Sequence, residues 1–285
     1  MATFYNQATL SYGGNTVNSN ITEAELLSGL TLTKTPITGN YTAGGNLVYA
    51  VTLSNMGTAA YNDLTLTDDL GAYTLAGGAT AVPLTYVNGS IQYYLNGVLQ
   101  PAPAVTSAGN LEISGIDLPP SSTATFIYEA QANEFAPIAA GSTITNTVST
   151  NGGVGIGEIT ASATVTVSEA PALTIAKAVC PAVIADNGEL TYTLIVQNLG
   201  NTPIIATDGV IIRDVFNPIL SNIAVTLDGI ALAEGTGYTY NEATGEFATA
   251  DGVVTVPAAT YTQDPTTGAV TTTPGVTVLT VTGTV

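Results

Sequence analysis

Only three of the 285 residues are basic, and two of them, Lys34 and Lys177, stand at the same place in two copies of one stretch. LTLTKTPITGNYTAGGNLVYAVTLSNMG returns as LTIAKAVCPAVIADNGELTYTLIVQNLG, so that Lys34, Gly45, Tyr49, Asn55 and Gly57 fall on Lys177, Gly188, Tyr192, Asn198 and Gly200. Each copy also carries a matched acid, Asp68 of LTLTDDL and Asp214 of VIIRDVF. A late segment of copy one, TITNTVST, supplies Asn146; copy two has no such residue downstream, and its best candidate is Asn6 near the start of the chain. A Lys, an Asn and an Asp brought together can form an amide between side chains. Burial disfavours the charged ammonium, so the amine becomes a nucleophile. A buried Asp with a raised pKa stays protonated, polarises the Asn carbonyl and shuttles protons while ammonia leaves. The candidate sets are Lys34, Asn146 and Asp68 within one chain, and Lys177, Asp214 and the Asn6 of another subunit. The plainer reading is an ordinary Lys–Asp ion pair in each copy, which the residue types allow equally.

Other chemistry is thinly represented. With no His there is neither a Ser-His nucleophile nor a His-ligated metal, and one Cys builds no zinc site. Asp68-Asp69 with Asn62-Asp63 could offer hard oxygens to calcium, but such residues more often close strands. Paired carboxylates for glycoside hydrolysis lack a Trp on which to stack a sugar. Cys180 reads as a small buried hydrophobe, or alternatively as half of an intersubunit disulfide. No cofactor is implied, and the only catalysis in view is the self-crosslink.

The elements that must position these residues alternate with period two and are rich in β-branched residues: NLVYAVTLSN, NDLTLTD, TATFIYEAQ, TASATVTVSE, ELTYTLIVQN and VTVLTVTGTV. Turn residues separate them, at Gly44-Gly45, Asn96-Gly97, Pro119-Pro120, Asn187-Gly188 and Asp228-Gly229. This pattern predicts an all-β protein of two immunoglobulin-like antiparallel β-sandwich domains in tandem. TEAELLSG, from Thr22, is the one helix-like piece and is equally legible as a strand. Domain 1 spans 30–170 and domain 2 spans 171–285, with an amino-terminal segment 1–29. The strand from Thr125 matches the one from Thr277; copy one continues long beyond it, through a Gly-rich turn at 152–156, and copy two does not. Domain 2 therefore lacks its last strands. The segment 1–29 has the order of the missing piece: an Asn, an alternating strand, a Gly turn and a second strand, leading into the Lys strand. It could close domain 2 of its own chain or of a neighbour. The neighbour is favoured, because the segment sits at the opposite end of the chain from the open groove. A head-to-tail contact that does not close makes a filament, here by strand addition to an open sheet.

Hydrophobic residues make up 45% of the chain, ample for two cores, while charged residues make up 8%, against about 25% in ordinary soluble domains. The net charge of −18 argues against nucleic acid and anionic membranes as partners. No apolar run is long enough to span a bilayer. MATFYNQATLSYGG has neither a basic nor an apolar secretory region, so the expectation is either a chain given without its leader or one made in the compartment where it assembles.

The repeated block, a Lys in the first strand, Gly-x-x-x-Tyr, SNMG or QNLG, a strand ending in Asp and later TNTVS, resembles the bacterial surface repeat catalogued as domain of unknown function eleven. The resemblance covers nearly the whole chain in two copies. It falls on Lys34, Tyr49, Asn55, Gly57, Asp68 and Asn146, and on Lys177, Tyr192, Asn198, Gly200 and Asp214. Copy two departs from it in having no Asn after its last strand. The resemblance implies a stalk or appendage on a bacterial exterior. Two copies at this length also look like the shaft proteins of ribbon-like endospore appendages. The expected function is a self-assembling structural subunit of an extracellular or spore-surface fibre, whose partner is another copy of itself. The alternative is an adhesin-like stalk or surface-layer binding module.

Overall fold

The computed structural model describes residues 2–26, 29–151, 157–185 and 188–285. The Gly-rich turn expected at 152–156, and Asn187 of the expected Asn187-Gly188 turn, lie outside the described residues. The chain divides into two compact units. Unit 1 comprises 1–137, 142–167 and 265–269; unit 2 comprises 138–141, 168–264 and 270–285.

Unit 1 is a sandwich of two six-stranded sheets. One sheet places the Lys34 strand (Leu30–Pro36) beside the Tyr49 strand (Asn46–Asn55), and that beside the Tyr128 strand (Ser122–Ala132). The other runs from Leu111–Leu118 to the Asp68 strand (Tyr61–Asp68), the Asn146 strand (Thr143–Asn151) and a closing strand (Glu158–Val167). Alternation directs the side chains. Leu47, Tyr49, Val51, Leu53 and Asn55 are all buried, as are Leu64, Leu66 and Asp68, and the polar residues between them face out. The closing strand packs over the Lys34 strand and buries Leu30 and Leu32.

Unit 2 repeats this plan in part. Its larger sheet sets the Lys177 strand (Leu173–Cys180) beside the Tyr192 strand (Glu189–Asn198), the Leu279 strand (Gly275–Thr284) and the hairpin Ser221–Leu227/Ile230–Leu232. The facing sheet has three strands: the Asp214 strand (Arg213–Val215), Glu246–Thr249 and Tyr238–Asn241. Phe216, Tyr238 and Phe247 meet Tyr192, Leu194, Leu279 and Val281 in its core. Among the described residues this sheet has no counterpart of the Asn146 strand or the closing strand. Domain 2 is thus the incomplete sandwich that the sequence predicts.

Residues 2–26 form a two-part antiparallel hairpin: Ala2–Asn6 pairs with Thr22–Leu26, and Thr9–Tyr12 with Asn15–Asn18. The ambiguous TEAEL is therefore a strand. Every residue from 5 to 23 is exposed.

Half of the repeated block proves to be architecture. Asn55 donates to the Ala59 carbonyl at 2.8 Å and accepts the Gly57 N–H at 3.0 Å; Asn198 does the same with Thr202 (2.8 Å) and Gly200 (2.9 Å). Gly200 is required by close approach, since a Cβ there would lie 2.2 Å from the Ala170 carbonyl. Asn96-Gly97 and Asp228-Gly229 both have positive φ at each residue, the geometry of tight hairpin turns that match strand twist.

Two expectations are corrected. Thr125 lies opposite Thr52, whose repeat partner Ile195 lies opposite Val278, so the strand from Thr125 matches the one from Val278 rather than Thr277. A one-residue slip exchanges inward and outward faces, and the position of Tyr128 is thereby taken by Val281. Cys180 is exposed rather than buried, because it stands three residues from inward-facing Lys177, on the outward side of the strand, where its repeat counterpart Ile37 is exposed too.

Candidate crosslinking and docking site

Lys34 enters the core of unit 1 because it continues the inward row of Leu30 and Leu32. Its side chain is fully buried, and Nζ lies 2.6 Å from Asp68 Oδ2. Asp68, at the end of its strand, turns inward from the facing sheet; its Oδ1 accepts the Leu70 N–H at 3.1 Å. Tyr128 donates its hydroxyl to Asp68 Oδ2 in a short hydrogen bond. Asn146 is completely buried, and its Nδ2 donates to the Tyr128 hydroxyl at 3.4 Å. The structure thus brings Lys34, Asp68 and Asn146 into one buried cluster and joins them through Tyr128.

The rings of Tyr49 and Tyr128 wall this cluster, with centroids 5.0 and 5.9 Å from Lys34 Nζ. Burial holds the Lys34 ammonium below its ordinary range, outweighing the opposing pull of the Asp68 charge. Burial, reinforced by the charge of Asp68, pushes the Tyr128 phenol well up, so it stays protonated. Asn146 Oδ1 has no hydrogen-bond partner. A buried carbonyl left without a partner costs about 1–3 kcal/mol. Asp69 plays a local part: its Oδ1 accepts the Gly71 and Thr147 N–H groups, each at 2.8 Å. This fits the strand-closing reading of the acid pair rather than the calcium one.

Tyr128 was not legible as a participant. Its signal is its register, directly opposite Tyr49, one strand further into the sheet than the repeated block.

In unit 2 the same row is level with the core yet uncovered. Lys177 lies opposite Leu194, and Ile175 opposite Val196, both partners being buried. Leu173 and Ile175 are nevertheless 40% and 59% exposed, against 3% and 8% for Leu30 and Leu32. Lys177 Nζ lies 2.5 Å from Asp214 Oδ2, with 38% of its side chain exposed. The rings of Tyr192 and Phe216 stack with centroids 5.0 Å apart, and Lys177 sits 4.4 and 5.2 Å from them. The ion pair and aromatic wall of unit 1 therefore recur here without the Asn.

Among the described residues the Asp214 strand pairs only with Glu246–Thr249, whereas its counterpart is flanked on both sides, by Leu111–Leu118 and by the Asn146 strand. Asn6 lies on the exposed hairpin, its carbonyl accepting the Thr22 hydroxyl at 3.2 Å. Aligning Asn6 with Asn146 sets Ala8 on buried Val148 and Leu10 on buried Thr150. Val148 and Thr150 face Asp68 and Leu66 of the neighbouring strand.

No protein-family model matches the chain, and no curated protein does. Solved structures do. The pilus backbone of Streptococcus pneumoniae aligns over 86% of this chain at 11% identity and a TM-score of 0.35; the chain spans 55% of that protein's length. The major pilin subunit of Bacillus cereus aligns over 95% of this chain and 73% of its own, at 14% identity and a TM-score of 0.35. An enzyme catalysing macrocyclization in alchivemycin A biosynthesis aligns over 58% of this chain and 97% of its own, at 14% identity and a TM-score of 0.30. Values this low carry no argument about function, and the fold is read from the strand pairing itself.

Proposed function

We propose that this protein is a structural subunit that polymerises head to tail into a fibre on a bacterial cell or endospore surface. The hairpin 2–26 of one subunit enters the open side of unit 2 of the next, where its first strand adds to the Asp214 strand and its second covers the Lys177 strand. The observation that carries this reading is the contrast between equivalent rows, Leu30 and Leu32 buried and Leu173 and Ile175 exposed. Full burial of one such side chain contributes about 1.5–3 kcal/mol, so covering this row supplies a driving force that a free subunit forgoes. Lys34 and Asn146 form an amide that locks unit 1. Lys177 and the incoming Asn6 form a second one that makes the joint between subunits covalent. The surface location rests on the sequence resemblance to bacterial surface repeats and endospore appendages. Catalysis is confined to these self-crosslinks.

The test is electron microscopy of the purified chain, followed by boiling in detergent with reductant. Fibres are expected, with a ladder of multimers that collapses to monomer in Lys177→Ala and in Asn6→Ala. A chain that stays monomeric at high concentration, and is unaffected by deletion of 1–26, would contradict strand donation. Fibres that dissolve fully to monomer would contradict the covalent joint alone. Retention on a glycan or cell surface without fibres would favour the stalk-like binding module.

A further inference from the structure

We infer that Tyr128 is the proton relay of amide formation in unit 1. The inference rests on the proposed Lys34–Asn146 amide and adds a residue to it. Tyr128 is 1% exposed, donates its hydroxyl to Asp68 Oδ2 and accepts from Asn146 Nδ2, the nitrogen that must leave. Asp68 Oδ2 is the same atom that faces Lys34 Nζ. One oxygen thus receives the nucleophile's proton, and one hydroxyl stands between that oxygen and the leaving group.

The steps balance. Lys34 ammonium gives a proton to Asp68, and the free amine attacks Asn146 Cγ, forming the new C–N bond with negative charge on Oδ1. Asp68 returns its proton to the Tyr128 oxygen as the Tyr128 hydrogen passes to Nδ2. Asp68 then takes the second proton from Lys34 nitrogen. The carbonyl re-forms as the Cγ–Nδ2 bond breaks, and ammonia departs. Asp68 ends protonated, no charge is created, and no other reactant is needed. Without the hydroxyl, Asp68 would have to protonate Nδ2 directly, and no hydrogen bond in the cluster joins the two. In unit 2 the residue opposite Tyr192 is Val281, so a Lys177 amide has no equivalent relay from its own sheet.

The test follows newly made full-length chain in a cell-free pulse, using mass spectrometry to quantify the Lys34 peptide joined to the Asn146 peptide with loss of one ammonia. Tyr128→Phe is expected to slow joining on the order of 10²-fold or more, as for removal of an acid–base group. Tyr86→Phe removes a hydroxyl from a buried ring 6.3 Å away and is expected to leave the rate unchanged. Joining in Tyr128→Phe at the normal rate, or equal slowing in Tyr86→Phe, overturns the relay. Should Tyr128→Phe fail to fold, the unaltered chain still decides: joining in mixtures of light and heavy water should show a bowed proton inventory, and a linear one overturns the relay. If the unaltered chain never joins these peptides, the amide itself is wrong, a separate failure.

Discussion

Burial separates Lys34 from Lys177: one side chain is fully covered and the other is 38% exposed. A fully buried ammonium costs several kcal/mol of desolvation, offset only in part by its carboxylate partner. Lys34 therefore has a folded-state pKa below its ordinary 10.5, with burial the dominant cause. Between those two values the folded chain holds fewer protons than the unfolded one, so stability rises with pH across that window. Tyr128 acts in the opposite sense: its pKa is raised by burial, so stability falls as pH climbs past its ordinary 10.0. The prediction concerns Asn146→Ala, where Lys34 stays a free amine. Its denaturant midpoint should rise as pH approaches 10 and fall beyond it, and the rising limb should vanish in Asn146→Ala/Lys34→Met. Identical pH profiles for the two would show that Lys34 is not held out of its ordinary range.

Strands carry the second level of the account. Alternation in NLVYAVTLSN and ELTYTLIVQN made the sandwich legible, because each inward residue repeats every second position and the buried rows follow it. Lys34, Asp68 and Asn146 were legible as a set because a lysine this rare, kept in both copies, demanded partners. Tyr128 was not, since strand register depends on pairing across the sheet and the sequence match ran one residue out. Cys180 was misread for a related reason: its type suggests a buried small hydrophobe, but alternation sets it on the outward side of the Lys177 strand. Register also gives the sharpest test of strand donation. In the proposed donation Ala8 would take the place of Val148, which lies opposite the acid at the end of the Asp68 strand. Ala8→Asp would bury a carboxylate beside Asp214, and it should abolish fibres while leaving the subunit folded. Ser11→Asp, on the outward side of the same strand, should assemble normally. Equal behaviour of the two variants would exclude this register.

At the scale of the whole molecule, one complete sandwich and one with an uncovered strand are the parts that the proposed strand donation would join. A chain of net charge −18 repels its copies, so apolar coverage and backbone pairing must supply the association that charge opposes. The central claim is that unit 2 accepts the hairpin of another copy. The most direct measurement adds an excess of the isolated peptide 2–26 to a chain lacking those residues and reads amide hydrogen exchange. The account predicts saturable binding that slows exchange along Arg213–Val215 and along Leu173–Cys180, with exchange in unit 1 unchanged. Exchange in both strands unaltered at saturating peptide would contradict it.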